Sequence, residues 1–484
     1  MRRLGYRVGL AIALGMAIVG AARAEVSADQ AAGVQRDLRG WIVGLLSPLV
    51  AAGEIPLTVS PAGERYRMEF GGVTLPGFTL AADGGTRGFL RPQGDGRWVV
   101  EELMFPARFD LSIGEDKASV FALRLGTQSA RMEIDTTLAS PTRMEAQYGE
   151  VEQTMKSAAG SSMTRMAKVT ITNRLEPGAD GRMMAASESR ITGYDMQETA
   201  ADGSLTTLKA REISATSHVE GLSMQNWGAI LRGVSRLAAD IKAGPVPDGG
   251  PTAAQREMLH ALLDTAGDWF ASARTEQIWS GSSLTAAGIE GSLARVKFGS
   301  AIGAPAGQAE FGLRFELEGL ASPMIPPAGI GQLVPKRLVL APRVSGVRKE
   351  EAMALLSRAI DTAGDDDADM AGAVLELLAD QPAVVTLDTI DIEVGGARLR
   401  GTGSARVSSA SEVSGKAELR MTGLDALMRT VAKVPEAAMA GPVLLMLKGL
   451  GEQNGAETVW RVSYAANKMM VNGQDVSALM AGAK

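Results

Sequence analysis

The sequence predicts a β-rich α+β protein in which an extended, curved antiparallel sheet, or several such sheets, carries amphipathic helices packed on one face. Three observations predict it. Apolar and polar residues alternate over several segments, other segments repeat apolar residues at helical spacing, and glycine is frequent, at 57 of 484 residues. Glycine above its usual share of about 7% favours many turns. One-sided strands favour antiparallel pairing, because parallel strands are buried on both faces.

The chain begins with the features of a secretory signal peptide. Arginines near the start precede an uninterrupted small and apolar run from 8 to 22, and Ala22 and Ala24 flank Arg23 in a cleavage-site pattern. The run is shorter than the roughly 20 residues that a membrane-spanning helix needs. We therefore expect cleavage after Ala24, export to the periplasm of a Gram-negative cell, and no membrane span in the mature chain.

Composition excludes several classes of function. The formal net charge is -6, and removal of residues 1–24 would remove four arginines and no acid. An acidic chain disfavours a nucleic-acid partner, because phosphate binding requires a basic face. The chain has no cysteine, which excludes disulfides, thiolate nucleophiles and iron–sulfur clusters. Hydrophobic residues at 45% and charged residues at 21% predict a folded globular chain.

Helical periodicity marks three segments. Apolar residues recur at helical spacing over 27–50, with Ser27 as the expected cap, and again over 223–243. A third set runs from Met258 to Phe270. The segment from Pro245 to Pro251 predicts the loop that joins the last two helices into a hairpin.

Period-two alternation predicts strands between these helices. Phe311, Leu313, Phe315 and Leu317 alternate with polar residues and glycine, which predicts a strand with its apolar face buried and its polar face in water. Segments 389–394 and 416–422 show the same alternation. The region 54–220 predicts a long run of strands and turns, in which only 150–166 could be helical.

Gly-Leu pairs at 221–222, 319–320 and 423–424 suggest an internal repeat, in which each pair closes a strand and opens a helix or loop. Each unit would be a small antiparallel sheet followed by an amphipathic helix. The predicted organisation is a signal peptide over 1–24, an N-terminal helix and β-rich region over 25–220, and a helical hairpin followed by repeated sheet and helix units over 221–484.

The sequence contains no familiar catalytic centre. His218 and His260 are its two histidines, and neither has a second ligand at metal-binding spacing. Serine-nucleophile and phosphate-loop motifs are absent, and the glycines at 401–403 lack the third glycine of a dinucleotide loop. The acidic cluster at 365–369 lacks the pattern of a calcium loop and is expected to cap a helix. We assign no catalytic, cofactor or metal residue, leave ligand-binding residues unknown, and expect no enzyme.

Two chemical alternatives stay open. The methionine pairs at 183–184 and 469–470 could bind copper in the periplasm. Adjacent strand residues point to opposite faces, however, so core packing is the expected role of these methionines. Two carboxylates could also hydrolyse a glycoside, and their separation is not readable from sequence.

A family resemblance rests on the long glycine-punctuated strands, the Gly-Leu pairs at 319–320 and 423–424, and the segment from Tyr464 to Asp475 with Val471-Asn472-Gly473. With the signal peptide, these features resemble an uncharacterised family of alphaproteobacterial periplasmic proteins that carries a domain of unknown function. More distantly they resemble AsmA-type and YdgA-type envelope proteins, in which repeated sheets form a curved, apolar-lined surface. The resemblance implies no catalytic residue and no cofactor. The expected absence of a membrane-spanning anchor from the mature chain would be a departure from AsmA-type proteins.

We expect a non-enzymatic protein of cell-envelope maintenance that binds lipid or another apolar ligand on a curved β-sheet. The alternative is a structural or interaction module that docks on envelope proteins, through exposed strand edges or through the helices of Trp227 and Trp269. The expected partners are therefore a lipid or other apolar ligand, or envelope proteins, and no nucleic acid.

Overall fold

The computed structural model describes residues 26–46, 56–71, 74–75, 78–82, 84–94, 96–113, 119–138, 140–157, 160–178, 181–243, 250–326, 329–363, 370–409 and 412–477. Three predicted features lie outside the described residues: the signal peptide, most of the loop from Pro245 to Pro251, and the acidic cluster at 365–369.

Helices are interspersed among the strands. They are α1 (Ala28–Leu46), α2 (Met224–Ala243), α3 (Ala253–Gly267), α4 (Lys349–Asp361), α5 (Met370–Asp380), α6 (Leu424–Val431) and α7 (Ala440–Leu450). The predicted cap of α1 is confirmed, because the Gln30 backbone N–H donates to Ser27 Oγ at 3.2 Å. The third predicted helix was misplaced. A capping box between Thr252 and Gln255 starts α3 earlier, and Trp269 and Phe270 lie beyond its end.

Strands make up most of the described chain. They are β1 (Leu57–Ala62), β2 (Arg65–Phe70), β3 (Thr74–Leu75), β4 (Phe78–Ala82), β5 (Thr86–Gly94), β6 (Arg97–Met104), β7 (Arg108–Ile113), β8 (Ser119–Arg124), β9 (Gln128–Asp135), β10 (Arg143–Ser157), β11 (Gly160–Pro177), β12 (Met183–Ala200), β13 (Leu205–Leu222), β14 (Ser272–Ala286), β15 (Ile289–Gly303), β16 (Gln308–Glu318), β17 (Arg337–Arg348), β18 (Ala383–Val394), β19 (Ala397–Val407), β20 (Val413–Thr422), β21 (Glu452–Asn454), β22 (Glu457–Ala465), β23 (Lys468–Val471) and β24 (Gln474–Asp475). The suggestion of a helix over 150–166 was wrong. That segment belongs to β10 and β11, where pairing with each other overrides local helical character.

All strand pairs described are antiparallel, and the sheet is curved and open. Two N-terminal branches meet at β10, whose first half pairs with β9 and whose second half pairs with β8. From β10 to β20 each strand pairs with the next strand in the chain, and β22 then extends the sheet beyond β20. This meander is the simplest antiparallel topology, because consecutive strands are also neighbours in space.

One transverse row of the meander carries a large apolar side chain on every strand from β10 to β20. Its members are direct cross-strand partners on one face of the sheet: Tyr148, Val169, Ile191, Ile213, Trp279, Val296, Leu317, Leu338, Ile392, Leu399 and Met421. We call the face that contains this row the apolar face. Opposed apolar pairs each stabilise a sheet by roughly 0.2–1 kcal/mol, so the row fixes the register of the meander.

A second transverse row, next to the first, contains left-handed residues on alternate strands. Glu150, Gly193 and Gly281 have φ of 53°, 63° and 59°. This conformation interrupts the regular pleat, so that Trp279 and Ser282 border the same cavity although they are three residues apart. In an uninterrupted strand residues three apart lie on opposite faces. The apolar face therefore continues across this row, but the positions whose side chains point to it shift by one residue along the strand.

Helices cover the apolar face at both lateral ends of the sheet. At the N-terminal end α1 places Val34 and Leu38 in a core with Leu90 and Val100. At the C-terminal end Leu424 of α6 and Leu444 of α7 pack around Trp460. The sheet's two ends thus have conventional cores.

The opposite face carries a ladder of ion pairs. Arg337 pairs with Glu318 at 2.7 Å and approaches Asp391 at 3.4 Å, and Arg398 holds Asp391 through two hydrogen bonds of 2.8 and 2.6 Å. The side chain of Asp391 is only 11% exposed. Hydrogen bonds from Arg398 hold the pKa of Asp391 below its usual range, with help from the nearby charges of Arg337 and Arg398.

The predicted burial of β16 was wrong in detail. Phe311 and Leu313 are 45% and 48% exposed, whereas Glu316 on the charged face is 6% exposed. Alternation identifies which residues share a face. It does not identify which face other elements cover, and over β16 the apolar face is the open one.

Helix pairs, rather than Gly-Leu pairs, follow groups of strands. The pair α2 and α3 follows β13, α4 and α5 follow β17, and α6 and α7 follow β20. Gly221, Gly319 and Gly423 all have positive φ, but Gly319 lies between β16 and β17 and no helix pair follows it. The spacing of the Gly-Leu pairs therefore does not mark the structural unit.

Substitution of Gly193 by alanine tests the row of left-handed residues. A Cβ at Gly193 would lie 2.8 Å from the Cβ of Ala167, in a backbone conformation that L-residues disfavour. We expect Gly193→Ala to lower the free energy of unfolding by about 2 kcal/mol, measured by urea denaturation. Gly312→Ala is the control, because that strand glycine has ordinary φ and its Cβ would meet Ala301 at 3.8 Å. Equal stabilities of the two variants would contradict the assignment.

Substitution of Asp391 by asparagine tests the ion-pair ladder. Because the native pKa of Asp391 is lowered, its contribution to stability is complete above the ordinary carboxyl pKa near 4 and is lost as pH falls through the native value. We expect the free energy of unfolding of Asp391→Asn to be about 2 kcal/mol lower than that of wild type at neutral pH. We expect this difference to shrink in acid. Urea denaturation across this pH range measures it. The control is Glu188→Gln on the same face. If the difference in unfolding free energy between Asp391→Asn and wild type did not change with pH, the role of the ladder would be refuted.

Candidate functional site

The central strands leave the apolar face uncovered. On β15, β16 and β17 the side chains of Phe298, Ile302, Phe311, Leu313 and Val344 are 49%, 50%, 45%, 48% and 39% exposed. Cross-strand register places them on the face of the apolar row. Contiguous exposed apolar side chains are unusual on a monomer and mark a binding surface.

This surface includes a cavity of about 430 Å³. Its larger apolar lining residues are Leu208, Trp279, Leu284, Leu293, Val296, Phe298, Phe315, Leu317 and Leu320. We call these residues, together with Ile302, Phe311, Leu313 and Val344, the apolar trough. Two aromatic contacts shape it: Tyr194 meets Trp279 edge-on at 5.6 Å, and Phe298 meets Phe315 at 5.2 Å. The trough follows β15 for roughly 35 Å, at about 3.3 Å per residue from Gly291 to Ile302.

One polar atom lies in the wall of the trough without a partner. Ser282 is 8% exposed, and its Oγ forms no hydrogen bond with any residue that the structure describes. A buried hydroxyl without a partner is destabilising by about 1–3 kcal/mol. An acceptor oxygen of a ligand would remove this deficit.

The charged face contains its own cavity, of about 550 Å³, across β12 to β18. Its cations are largely engaged by neighbouring acids. Arg343 donates to Asp388 at 2.9 Å and to Glu310 at 3.4 Å, and these contacts raise the pKa of Arg343. A cavity whose charges compensate one another gives little preference for a ligand of either sign.

Neither histidine lines the trough. His218 lies on the charged face and is 3.3 Å from Glu220. His260 of α3 contacts Asp361 of α4 at 2.7 Å through Nε2 and Ser357 of α4 at 3.1 Å through Nδ1. No local sequence pattern marks this cluster, because Ser357 and Asp361 are 97 and 101 residues away from His260.

The cluster of Ser357, His260 and Asp361 resembles a serine hydrolase in residue types only. An acyl-transfer site needs free N–H donors for the oxyanion next to its nucleophile. Ser357 lies in the third turn of α4, where backbone N–H groups are already used in the helix. What the contacts do is join α3 to α4.

Other predicted candidates are distributed over the fold. Trp227 and Trp269 stack on each other, with ring centres 5.3 Å apart and planes within 6°. Met469 packs in the C-terminal core, as expected, whereas the expected core role is wrong for Met184, which is 38% exposed. Within the described ranges, no three His, Asp or Glu side chains come together as a possible metal site. No described helix combines the length and apolar composition needed to cross a membrane.

Comparison of the chain with protein-family models, with curated proteins and with solved structures gives no match.

Proposed function

We propose that this protein is an exported, non-enzymatic component of cell-envelope maintenance that binds lipid or another apolar ligand in the apolar trough. The observation that carries the proposal is the incomplete cover of one face. Helices close the apolar face at both ends of the sheet, while Phe298, Phe311 and Leu313 between them stay about half exposed.

Dimensions and chemistry favour an acyl chain as the ligand. The hydrocarbon core of a bilayer is about 30 Å thick and contains two chains end to end, so one extended chain spans about 15 Å. A trough of roughly 35 Å accommodates more than one chain in line. Its aliphatic and phenyl lining provides no fixed pattern of polar groups, which suits a flexible hydrocarbon, and Ser282 Oγ could donate to an ester or carboxyl oxygen.

The alternative, docking on envelope proteins, has weaker support in the geometry. The stacking of Trp227 on Trp269 leaves each ring engaged by the other. On the central strands, exposed apolar side chains gather on the open face rather than around these two rings. Crosslinking in intact cells distinguishes the two functions, because stable protein partners on a lipid-free chain would favour docking.

Substitution of Phe298 by aspartate tests the trough. The protein is purified from cells without detergent, and bound lipid is measured by native mass spectrometry and lipid extraction. We expect wild type to carry lipid in a fixed ratio, and Phe298→Asp to carry about tenfold less, because a carboxylate in an apolar site opposes binding by at least the roughly 1.4 kcal/mol that this factor requires.

Ile289→Asp is the matched control. Ile289 begins the same strand and is 61% exposed, but it does not line the cavity. This variant should retain wild-type lipid. Equal loss of lipid in both variants would show that charge anywhere on the strand acts non-specifically, and a lipid-free wild type that takes up no phospholipid or lipopolysaccharide would reject the proposed function.

A further inference from the structure

The helix α7 exposes an unusually large share of apolar side chains for a surface helix. Between 438 and 449 the exposed residues are all apolar, apart from glycine, and the side chain of the one charged residue, Lys448, is 41% exposed. Lys448 Nζ lies 2.6 Å from Asp425 Oδ1. Met439, Val443 and Leu445 are 88%, 51% and 62% exposed. A surface helix normally buries its apolar side and exposes its charges.

The exposed apolar positions occupy a wide arc of the helix. At about 100° per residue, the positions from Leu445 through Met439 to Leu447 cover roughly 200° of the helix surface. Pairing with one other helix uses a stripe about half as wide. An apolar arc of this width fits a surrounding medium better than a single facing surface.

Charged residues of both signs lie beside α7 in the sequence. Arg429 and Lys433 are exposed, and so are the acids Asp425, Glu436 and Glu452. Binding of a helix in the headgroup region of a membrane strengthens with the apolar area that the helix buries there. The exposed stretch is about 18 Å long at 1.5 Å per residue, which suits a helix lying in the plane of the membrane rather than across it.

We propose that the outer face of α7 docks on the surface of a lipid bilayer. The inward face anchors the helix to the sheet, since Leu444 packs in the C-terminal core and Trp460 Nε1–H donates to the Leu447 carbonyl at 2.7 Å. Docking here would place the membrane at the lateral end of the apolar face. It rests on the exposure of α7 and does not require that the trough bind lipid.

Substitution of Leu445 and Met446 by serine tests docking. Both side chains are exposed, at 62% and 40%, so the double variant should keep the urea midpoint of wild type. The protein is expressed from its full sequence, and binding is measured by flotation with vesicles of phosphatidylethanolamine and phosphatidylglycerol. We expect about tenfold less vesicle-bound double variant than wild type. In wild type, vesicles should slow amide hydrogen exchange within 438–450.

Val234→Ser is the control, because Val234 is an exposed apolar residue of another helix, at 52%. It should float as wild type does. Failure of wild type to float, flotation of the double variant at the wild-type level, or absence of protection of 438–450 in wild type would each overturn the proposal. A wild-type dimer in light scattering that the double variant converts to monomer would also overturn it, because α7 would then be an interface between two copies.

Bound lipid measured on the same preparations separates this proposal from the proposed function. Wild type that carries lipid but does not float would remove membrane docking and leave lipid binding in place. Wild type that floats without carrying lipid would remove lipid binding and leave membrane docking in place.

Discussion

The register in which β10 to β20 pair determines every other feature of the meander. Each strand presents one large apolar side chain to the row that runs from Tyr148 to Met421, and a slip of one residue in any strand would turn that side chain to the charged face. It would also break ion pairs such as that between Arg337 and Glu318. The two faces therefore reinforce one register, one through apolar contact and the other through charge.

The continuity of the apolar face has its source in the left-handed residues. Gly193 faces Ala167 closely, and Gly281 faces Arg211, so the row repeats on alternate strands. Because the alternation shifts there, the apolar face extends from Trp279 to Leu284 and Leu208, and the trough gains its length.

Local patterns predicted the local structure well. The Ser27 cap, the helix over 223–243, the one-sided strands at 311–317, 389–394 and 416–422, and the β-rich antiparallel class are all present. Helix α3 was displaced because Trp269 and Phe270 are apolar at the right spacing yet follow the helix end. The covered face of β16 was misassigned, because cover depends on where distant helices pack and not on alternation within the strand.

Long-range features had no local signal. The contact of His260 with Ser357 and Asp361 joins helices separated by four strands, and the shift at Glu150 occurs at a residue that rarely adopts positive φ. An apolar ligand-binding surface was predicted from the sequence, but the residues that form it were not. Period-two alternation marked only Phe311, Leu313, Phe315 and Leu317 as sharing a face, and it is the pairing of β13 to β17 and the exposure of the side chains that show an open surface.

The meander has a consequence for how such a protein can change in size. Since left-handed residues recur on every second strand of β10 to β14, the two-strand hairpin is the smallest complete repeat of the sheet. Gain or loss of one hairpin would preserve strand direction, the sidedness of both faces and the shift in alternation, whereas gain of a single strand would reverse the direction of all the strands that follow. The area of the open apolar surface would therefore change by whole hairpins. Related chains could differ in how much ligand this surface holds while keeping the same terminal helices.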